Sequence, residues 1–226
     1  MAKGGNFEIK IARALSIWWS NGTDEDLFWR SRGSGGTATR RARSGKETLQ
    51  GHEGDISCDK PSGKPLIDYM VFECKKGYQK DTVQDEFDAL PAAKLQTFES
   101  WVMQAHEAHI QANSATWGLI TERGKRVPLL WMPLTAWEHI SVANFHFWPQ
   151  MIFKFKSRQW NYQWELIGMT FECFLKSSSP DHIKQALEDL KNDRPDFSYQ
   201  LPETQKAIPK AWRNNDLGRS IRQGQI

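Results

Sequence analysis

The sharpest local chemistry in the sequence is Phe72-Glu73-Cys74-Lys75. On a strand, side chains alternate between faces, so Glu73 and Lys75 point one way while Cys74 points into the core. A carboxylate and an ammonium at the end of an otherwise apolar run are costly to bury unless something compensates. A second carboxylate lies upstream in Gly54-Asp55-Ile56. If Asp55 registers opposite Glu73 on a partner strand, the two acids repel until a divalent cation sits between them. Mg2+ suits such a pair, because it takes one or two carboxylates and completes its shell with water and phosphate oxygens. Glu8, one position after Phe7 on the first helix, is placed to supply a third oxygen ligand.

Other residues compete for these roles. Asp59 and Asp68 also precede Glu73. Asp68 falls on the same strand, and Asp59 opens a turn, where Asp is common for structural reasons; Asp55 is preferred to both. Of six histidines, His106 and His109 share a helix face at a chelating spacing, but no third ligand and no HExxH accompany them. They are read as packed or solvated helix residues, and His52 as a loop histidine. Cys58, Cys74 and Cys173 are odd in number and contain no CxxC. That excludes a disulfide framework and a thiolate zinc site, and it fits a reducing cytoplasm.

The elements that must hold these residues follow from the pattern. Phe7, Ile11, Ala14, Leu15 and Trp18 recur at helical spacing, which predicts a helix over Asn6 to Ser20, with Asn6 as N-cap and Asn21-Gly22 as its stop. Leu27 to Arg30 reads as a short strand. Asp55 to Cys58 reads as another, joined by the turn-rich stretch from Asp59 to Pro65 to a strand from Leu66 to Lys75. The last is apolar on both faces, which places it centrally in a sheet. A helix over Pro91 to Asn113 and strands at Trp117 to Thr121 and Val127 to Met132 complete an α-β-loop-ββ-α-ββ order. Such an order packs as an α/β fold, a central mixed β-sheet flanked by helices. Thr135 to about Leu175 is rich in Trp and Phe, with a strand at Met151 to Lys156 and one or two more between Trp160 and Leu175. Ser179-Pro180-Asp181 caps a final helix to about Lys191. The division expected is a core over 1–134, an aromatic-rich α/β extension over 135–200 packed on it, and a polar tail over 201–226.

The whole chain sets bounds on function. It has 226 residues, 39% hydrophobic and 25% charged, with a net charge of +3. The excess of positive charge is mild, but its distribution is not. Arg30, Arg32, Arg40, Arg41, Arg43 and Lys46 form a run without an acid, set among Gly and Ser. Such a loop suits phosphate contacts. No apolar stretch approaches the roughly 20 residues of a membrane span, so a soluble, cytoplasmic protein is expected. Gly33-Ser34-Gly35-Gly36 lacks the lysine of a nucleotide-binding loop.

In combination these motifs resemble the PD-(D/E)xK nuclease superfamily, and most closely its archaeal-type Holliday-junction resolvases and their phage relatives. The resemblance runs over roughly residues 3 to 130. It rests on Lys3-Gly4-Gly5-Asn6-Phe7-Glu8, on Arg30-Ser31-Arg32-Gly33-Ser34-Gly35, on Asp55-Ile56, and on Glu73-Cys74-Lys75. Gly54 stands where the pattern has proline. The resemblance implies a restriction-endonuclease-like core and hydrolysis of DNA phosphodiesters. Glu8, Asp55, Glu73 and the Cys74 backbone carbonyl would hold Mg2+ or Mn2+, and Lys75 would orient the attacking water. Arg32 and Ser34 would touch phosphate, with Arg30, Arg40, Arg41 and Arg43 extending the DNA contact. A polar residue on the following helix would support the site, and Gln96 is the candidate. The resemblance further implies a homodimer, for which the aromatic segment is a reasonable interface, and host-cell cytoplasm if the chain is phage-encoded. Three functions remain open: a structure-selective endonuclease acting on branched DNA in recombination or repair, a restriction-like or end-processing nuclease with the same core, and a DNA-binding module without catalysis.

Overall fold

The structure is a computed structural model, and it describes residues 5–31, 54–77, 81–88, 95–141, 150–160, 162–177 and 179–193. Helix α1 (Gly5–Trp19) stacks Phe7, Ile11 and Leu15 on one buried stripe. Each of these side chains contributes roughly 1.5–3 kcal/mol by leaving water. The helix stops where the sequence indicated: Asn21 and Gly22 take positive φ, and the Gly22 N–H reaches back to the Ile17 carbonyl at 2.7 Å. Its first residue is Gly5, one ahead of the expected cap at Asn6.

Strand β1 (Trp29–Arg30) pairs antiparallel with β2 (Ile56–Ser57) in a small two-stranded sheet. Helix α2 (Lys64–Tyr69) leads directly into β3 (Met70–Lys76). Helices α3 (Asp85–Asp88) and α4 (Thr97–Ala112) follow, then β4 (Thr116–Glu122) and β5 (Leu129–Pro133). Helix α5 (Leu134–Ile140), β6 (Gln150–Lys156), β7 (Gln163–Thr170), α6 (Phe171–Ser177) and α7 (Pro180–Asn192) close the described chain. The main sheet has the order β3-β4-β5-β7-β6; β3 and β4 are parallel and the other pairs antiparallel. The expected mixed sheet flanked by helices is therefore present.

Three local expectations change. The stretch from Leu66 to Lys75 is not one strand, because Pro65 sits in the first turn of α2 and the strand begins only at Met70. The segment after Asp55 does not form a hairpin with it. Its ladder partner is β1, while β3 spends its full length on β4. A parallel pair needs a long crossover, which α4 supplies, and that pairing is invisible to local pattern. Finally, β3 stands at one end of the five-stranded sheet rather than at its centre. Its apolar character on both faces comes from helices above and below, and its outer edge is met by the chain around Asp55. Between Trp160 and Leu175 there is one strand, β7, and then helix α6.

Alternation along the strands sorts the interior into two layers. Met70, Phe72 and Cys74 join Ile120, Leu130 and Met132 against α1, α2, α5, α6 and α7. Val71 joins Trp117, Leu119, Trp131 and Trp164 against α4. Trp131 lies over its register partner Gly168, where a Cβ would come within 2.4 Å of the indole. Gly168 is thus needed for its missing side chain.

A buried ionic knot fastens the N-terminal turn of α4. Glu99 Oε1 accepts from the Ser157 hydroxyl at 2.6 Å and from the Arg158 N–H at 2.9 Å. Glu86 Oε1 accepts from the Glu99 N–H at 3.0 Å, and the Arg158 guanidinium pairs with Glu86 and lies 3.5 Å from Glu99 Oε2. The knot ties α3, α4 and the turn between β6 and β7 together.

Candidate active site

Three elements converge on one group of acids. Strand β3 carries Glu73 and Lys75 on the face toward α4, and both lie before the strand's end at Lys76. The chain entering β2 carries Asp55. Helix α1 carries Glu8 one residue after the core anchor Phe7. Glu8, Asp55 and Glu73 are all buried.

Asp55 is positioned through both backbone and side chain. Its N–H donates to the Phe72 carbonyl at 2.8 Å, its carbonyl accepts from the Ser31 N–H at 2.9 Å, and its Oδ2 accepts from the Cys74 N–H at 2.8 Å. The chain can approach β3 this closely because residue 54 is glycine. A Cβ there would lie 2.7 Å from the Phe72 carbonyl oxygen and 3.0 Å from Val71. The departure from the proline of the resolvase pattern thus has a local steric reason.

Glu73 Oε1 accepts from Lys75 Nζ at 2.5 Å and from Gln104 Nε2 at 2.7 Å. Gln104 also accepts from Lys75 through its Oε1 at 2.9 Å. One glutamine on α4 therefore holds both members of the Glu73–Lys75 pair. Glu8 pairs with the Arg30 guanidinium.

The electrostatics follow from burial without enough positive charge. Burial, and next the charge of Glu73, push the Asp55 carboxyl up to about 7 despite the Cys74 N–H that favours its ionised form. Burial also raises Glu73, against the opposing pull of Lys75. The two buried acids repel, and burial makes each easier to hold neutral than in water. The Cys74 thiol lies on the opposite face and burial pushes it well above its ordinary value, so it stays protonated and is no thiolate ligand.

Among the described residues, no three His, Cys, Asp or Glu side chains are gathered tightly enough to hold a metal ion in this conformation. Glu8 and Glu73 are instead turned onto Arg30 and Lys75. The donor set still fits a hard cation. It consists of carboxylate oxygens, and a divalent ion would offset the repulsion between Asp55 and Glu73.

Of the residues expected from the sequence, Glu8, Asp55, Glu73 and Lys75 come together, with the Cys74 backbone bound to Asp55. Arg30 lies at their edge. Arg32, Ser34, Arg40, Arg41, Arg43 and the loop around them lie outside the described residues. Gln96 is the N-cap residue of α4, whereas the glutamine that reaches Glu73 and Lys75 is Gln104, two turns further on. His109 packs with its Nδ1 2.9 Å from the Ser114 hydroxyl, and the His106 ring lies among His109, Trp160 and Trp164. No helix among the described residues is long and apolar enough to cross a membrane.

Comparison with known proteins agrees with this layout. No curated protein and no solved structure matches the chain significantly. One protein-family model, described as "phage putative PDDEXK endonuclease", matches residues 1–185. That span takes in Glu8, Asp55, Glu73, Lys75 and Gln104, and it runs through the whole five-stranded sheet into α7. With most of its length matched and a mixed α/β core that gathers these acids and a lysine, the chain belongs to the phage PDDEXK endonuclease family.

Proposed function

We propose that this nuclease is a divalent-metal-dependent endodeoxyribonuclease with Glu8, Asp55, Glu73 and Lys75 as its catalytic centre. The observation that carries the reading is Asp55. It is a buried carboxyl held against Glu73 and pushed up to about 7, with Lys75 and Gln104 completing the same cluster. Mg2+ or Mn2+ on Glu8, Asp55, Glu73 and the Cys74 carbonyl would supply Lewis acidity toward a scissile phosphate and the attacking water. The chain's own residues do the rest. Lys75 offsets the negative charge that grows on phosphate and orients the water. Gln104 keeps Lys75 and Glu73 in register, and Glu73 in turn holds the Lys75 ammonium on the side of the site facing α4. Arg30 and the basic residues Arg32, Arg40, Arg41 and Arg43, with Ser34, bind the DNA backbone.

The order of motifs supports a structure-selective enzyme of the Holliday-junction type in phage DNA processing, recombination or repair, working in the host-cell cytoplasm. Two symmetric cuts in a four-way junction call for a homodimer. The exposed Met151, Ile152 and Tyr162 on and beside the outer strand β6 support the aromatic extension over 135–200 as its interface. The deciding experiment incubates purified protein with a four-way junction, linear duplex, flap and single strand, each with Mg2+, Mn2+ or EDTA. Paired symmetric nicks confined to the junction establish the resolvase. Cutting of linear or end-bearing DNA shows a restriction-like or end-processing enzyme instead. Asp55→Asn is expected to lose cutting on every substrate while still binding DNA; cutting by that variant would refute the assigned centre.

A further inference from the structure

We infer that Arg30 is a coupling residue that exchanges Glu8 for a DNA phosphate, so that metal and DNA load onto this enzyme together. The inference rests on the metal-dependent reading above and extends it to the order of assembly. Glu8 is the acid of the cluster contributed by a helix, and in this structure its carboxylate is taken by the Arg30 guanidinium. The two partners differ in exposure. The Glu8 side chain is 11% exposed and the Arg30 side chain 42%, so the guanidinium lies at the rim with access to solvent while its partner lies inside. A guanidinium recognises carboxylate and phosphate with the same fork of donors, so a backbone phosphate arriving at the rim competes directly for it. Once Arg30 moves to phosphate, the buried Glu8 carboxylate loses the pull of that guanidinium, and a divalent ion beside Asp55 and Glu73 offsets the loss.

The backbone makes the exchange local. Arg30 is the last residue of β1 and is paired with Ile56, and the next residue, Ser31, donates its N–H to the Asp55 carbonyl. The residue that releases Glu8 is therefore bonded through its neighbour to the residue that meets the metal. A second feature gives an independent handle. A Cβ at Gly5 would lie 2.8 Å from Arg30 Nη1, so Gly5→Ala pushes the guanidinium aside without removing its charge.

Linkage requires the effect to be reciprocal: DNA tightens metal by the factor by which metal tightens DNA, commonly about 5- to 150-fold. The test counts bound Mn2+ from the loss of the free-ion EPR signal, with and without a short duplex. All forms carry Lys75→Ala so that the DNA stays intact, and duplex alone serves as the blank. With Arg30 and Gly5 native, DNA is expected to tighten Mn2+ binding roughly tenfold. Arg30→Gln is expected to bind Mn2+ about tenfold tighter than the native residue without DNA, and to gain little when DNA is added. Gly5→Ala is expected to share the tighter DNA-free binding while it keeps DNA affinity, which separates displacement of the guanidinium from loss of its charge. Unchanged or weaker DNA-free Mn2+ binding in both variants, or a full DNA effect in Arg30→Gln, overturns the coupling and leaves the nuclease reading intact. Mn2+ binding that is absent in every form, with and without DNA, overturns both.

Discussion

The proposed catalytic cluster and the Glu86–Glu99–Arg158 knot both lean on helix α4, the first through Gln104 and the second through Glu99, and both bury more carboxylates than cations. Glu8, Asp55 and Glu73 face Arg30 and Lys75; Glu86 and Glu99 face Arg158. Burial raises Glu86 as it raises Asp55 and Glu73, so a raised carboxyl does not by itself mark a functional site. The difference lies in how the shortfall is met. In the knot, one guanidinium serves both acids, and fixed donors fill in: the Ser157 hydroxyl and the N–H groups of Glu99 and Arg158. In the cluster, Lys75 pairs with Glu73 and Arg30 with Glu8, while Asp55 is met by the Cys74 N–H and, at longer range, by the charge of Lys75. The knot is met by protein groups except at Glu99 Oε2, which has no hydrogen-bond partner among the described residues and only the Arg158 guanidinium 3.5 Å away. The cluster leaves two acids that repel, a repulsion a cation would offset.

The contrast can be broken most severely at the cluster's acids. Glu73→Gln removes a charge the proposed chemistry needs, and cleavage is expected to fall by about 10³-fold or more with the fold retained. The matching change at the knot, Glu99→Gln, is expected to leave the rate per folded molecule near that of wild type. Single-turnover cleavage beside circular dichroism checks both, and equal losses of rate would erase the distinction. The next effect is on stability. Arg158→Ala strands Glu86 and Glu99 as unpaired buried acids and is expected to cost about 3–5 kcal/mol in urea unfolding.

A smaller effect belongs to Gln104. Gln104→Ala frees Lys75 and Glu73 from their shared tether, and cleavage is expected to drop about tenfold. Partial rescue by Gln104→Asn would be absent, because the shorter chain cannot span both partners. A rate unchanged in Gln104→Ala would leave the glutamine a bystander.

The subtlest effect is a pH dependence. The folded Asp55 holds its proton up to about 7, above its ordinary 3.8. This group therefore adds stability that is fully present below its unfolded value and is lost as pH rises through about 7. In EDTA, the melting temperature is expected to decline between about pH 5 and about pH 8.5, and Asp55→Asn, a neutral mimic of the protonated acid, is expected to flatten that decline. Glu122, which is lowered by Lys76 and Lys10, works in the opposite direction, so the difference between wild type and Asp55→Asn is the quantity to read.

The sequence made the cluster legible because its chemistry is written in short spacings. Glu73 and Lys75 alternate on one strand, and Asp55 and Glu8 stand in a fixed order before them. The helices with strong ends were legible too: Asn21-Gly22 stops α1, Asn113 in left-handed conformation stops α4, and Ser179 caps α7 through the His182 N–H. What escaped depends on contacts distant along the chain. The parallel β3–β4 pairing, the docking of Asp55 on Phe72 and Cys74, and the knot between Glu86 and Arg158 join segments that no local pattern relates. Gln104 escaped for a different reason. The pattern points to a helix from Pro91 and to Gln96 as its supporting polar residue, whereas Gln96 is the N-cap of α4 and Gln104 is bonded to Lys75 and Glu73. Short α2 escaped because Pro65 reads equally well as a turn or as a first helical turn.

The seat of Asp55 on β3 has one more consequence. Strand β3 is the terminal strand of its sheet, and its outer rim would be an open template for another chain were the Phe72 carbonyl and the Cys74 N–H not occupied. Asp55 occupies both, one with its backbone and the other with its carboxylate. The residue proposed for chemistry is therefore also a guard of solubility. A lineage that abandons DNA cleavage remains under pressure to keep an oxygen acceptor at this position, and asparagine is the replacement that satisfies it. Alanine there would lose the reaction and uncover the Cys74 N–H, leaving only the backbone half of the guard in place.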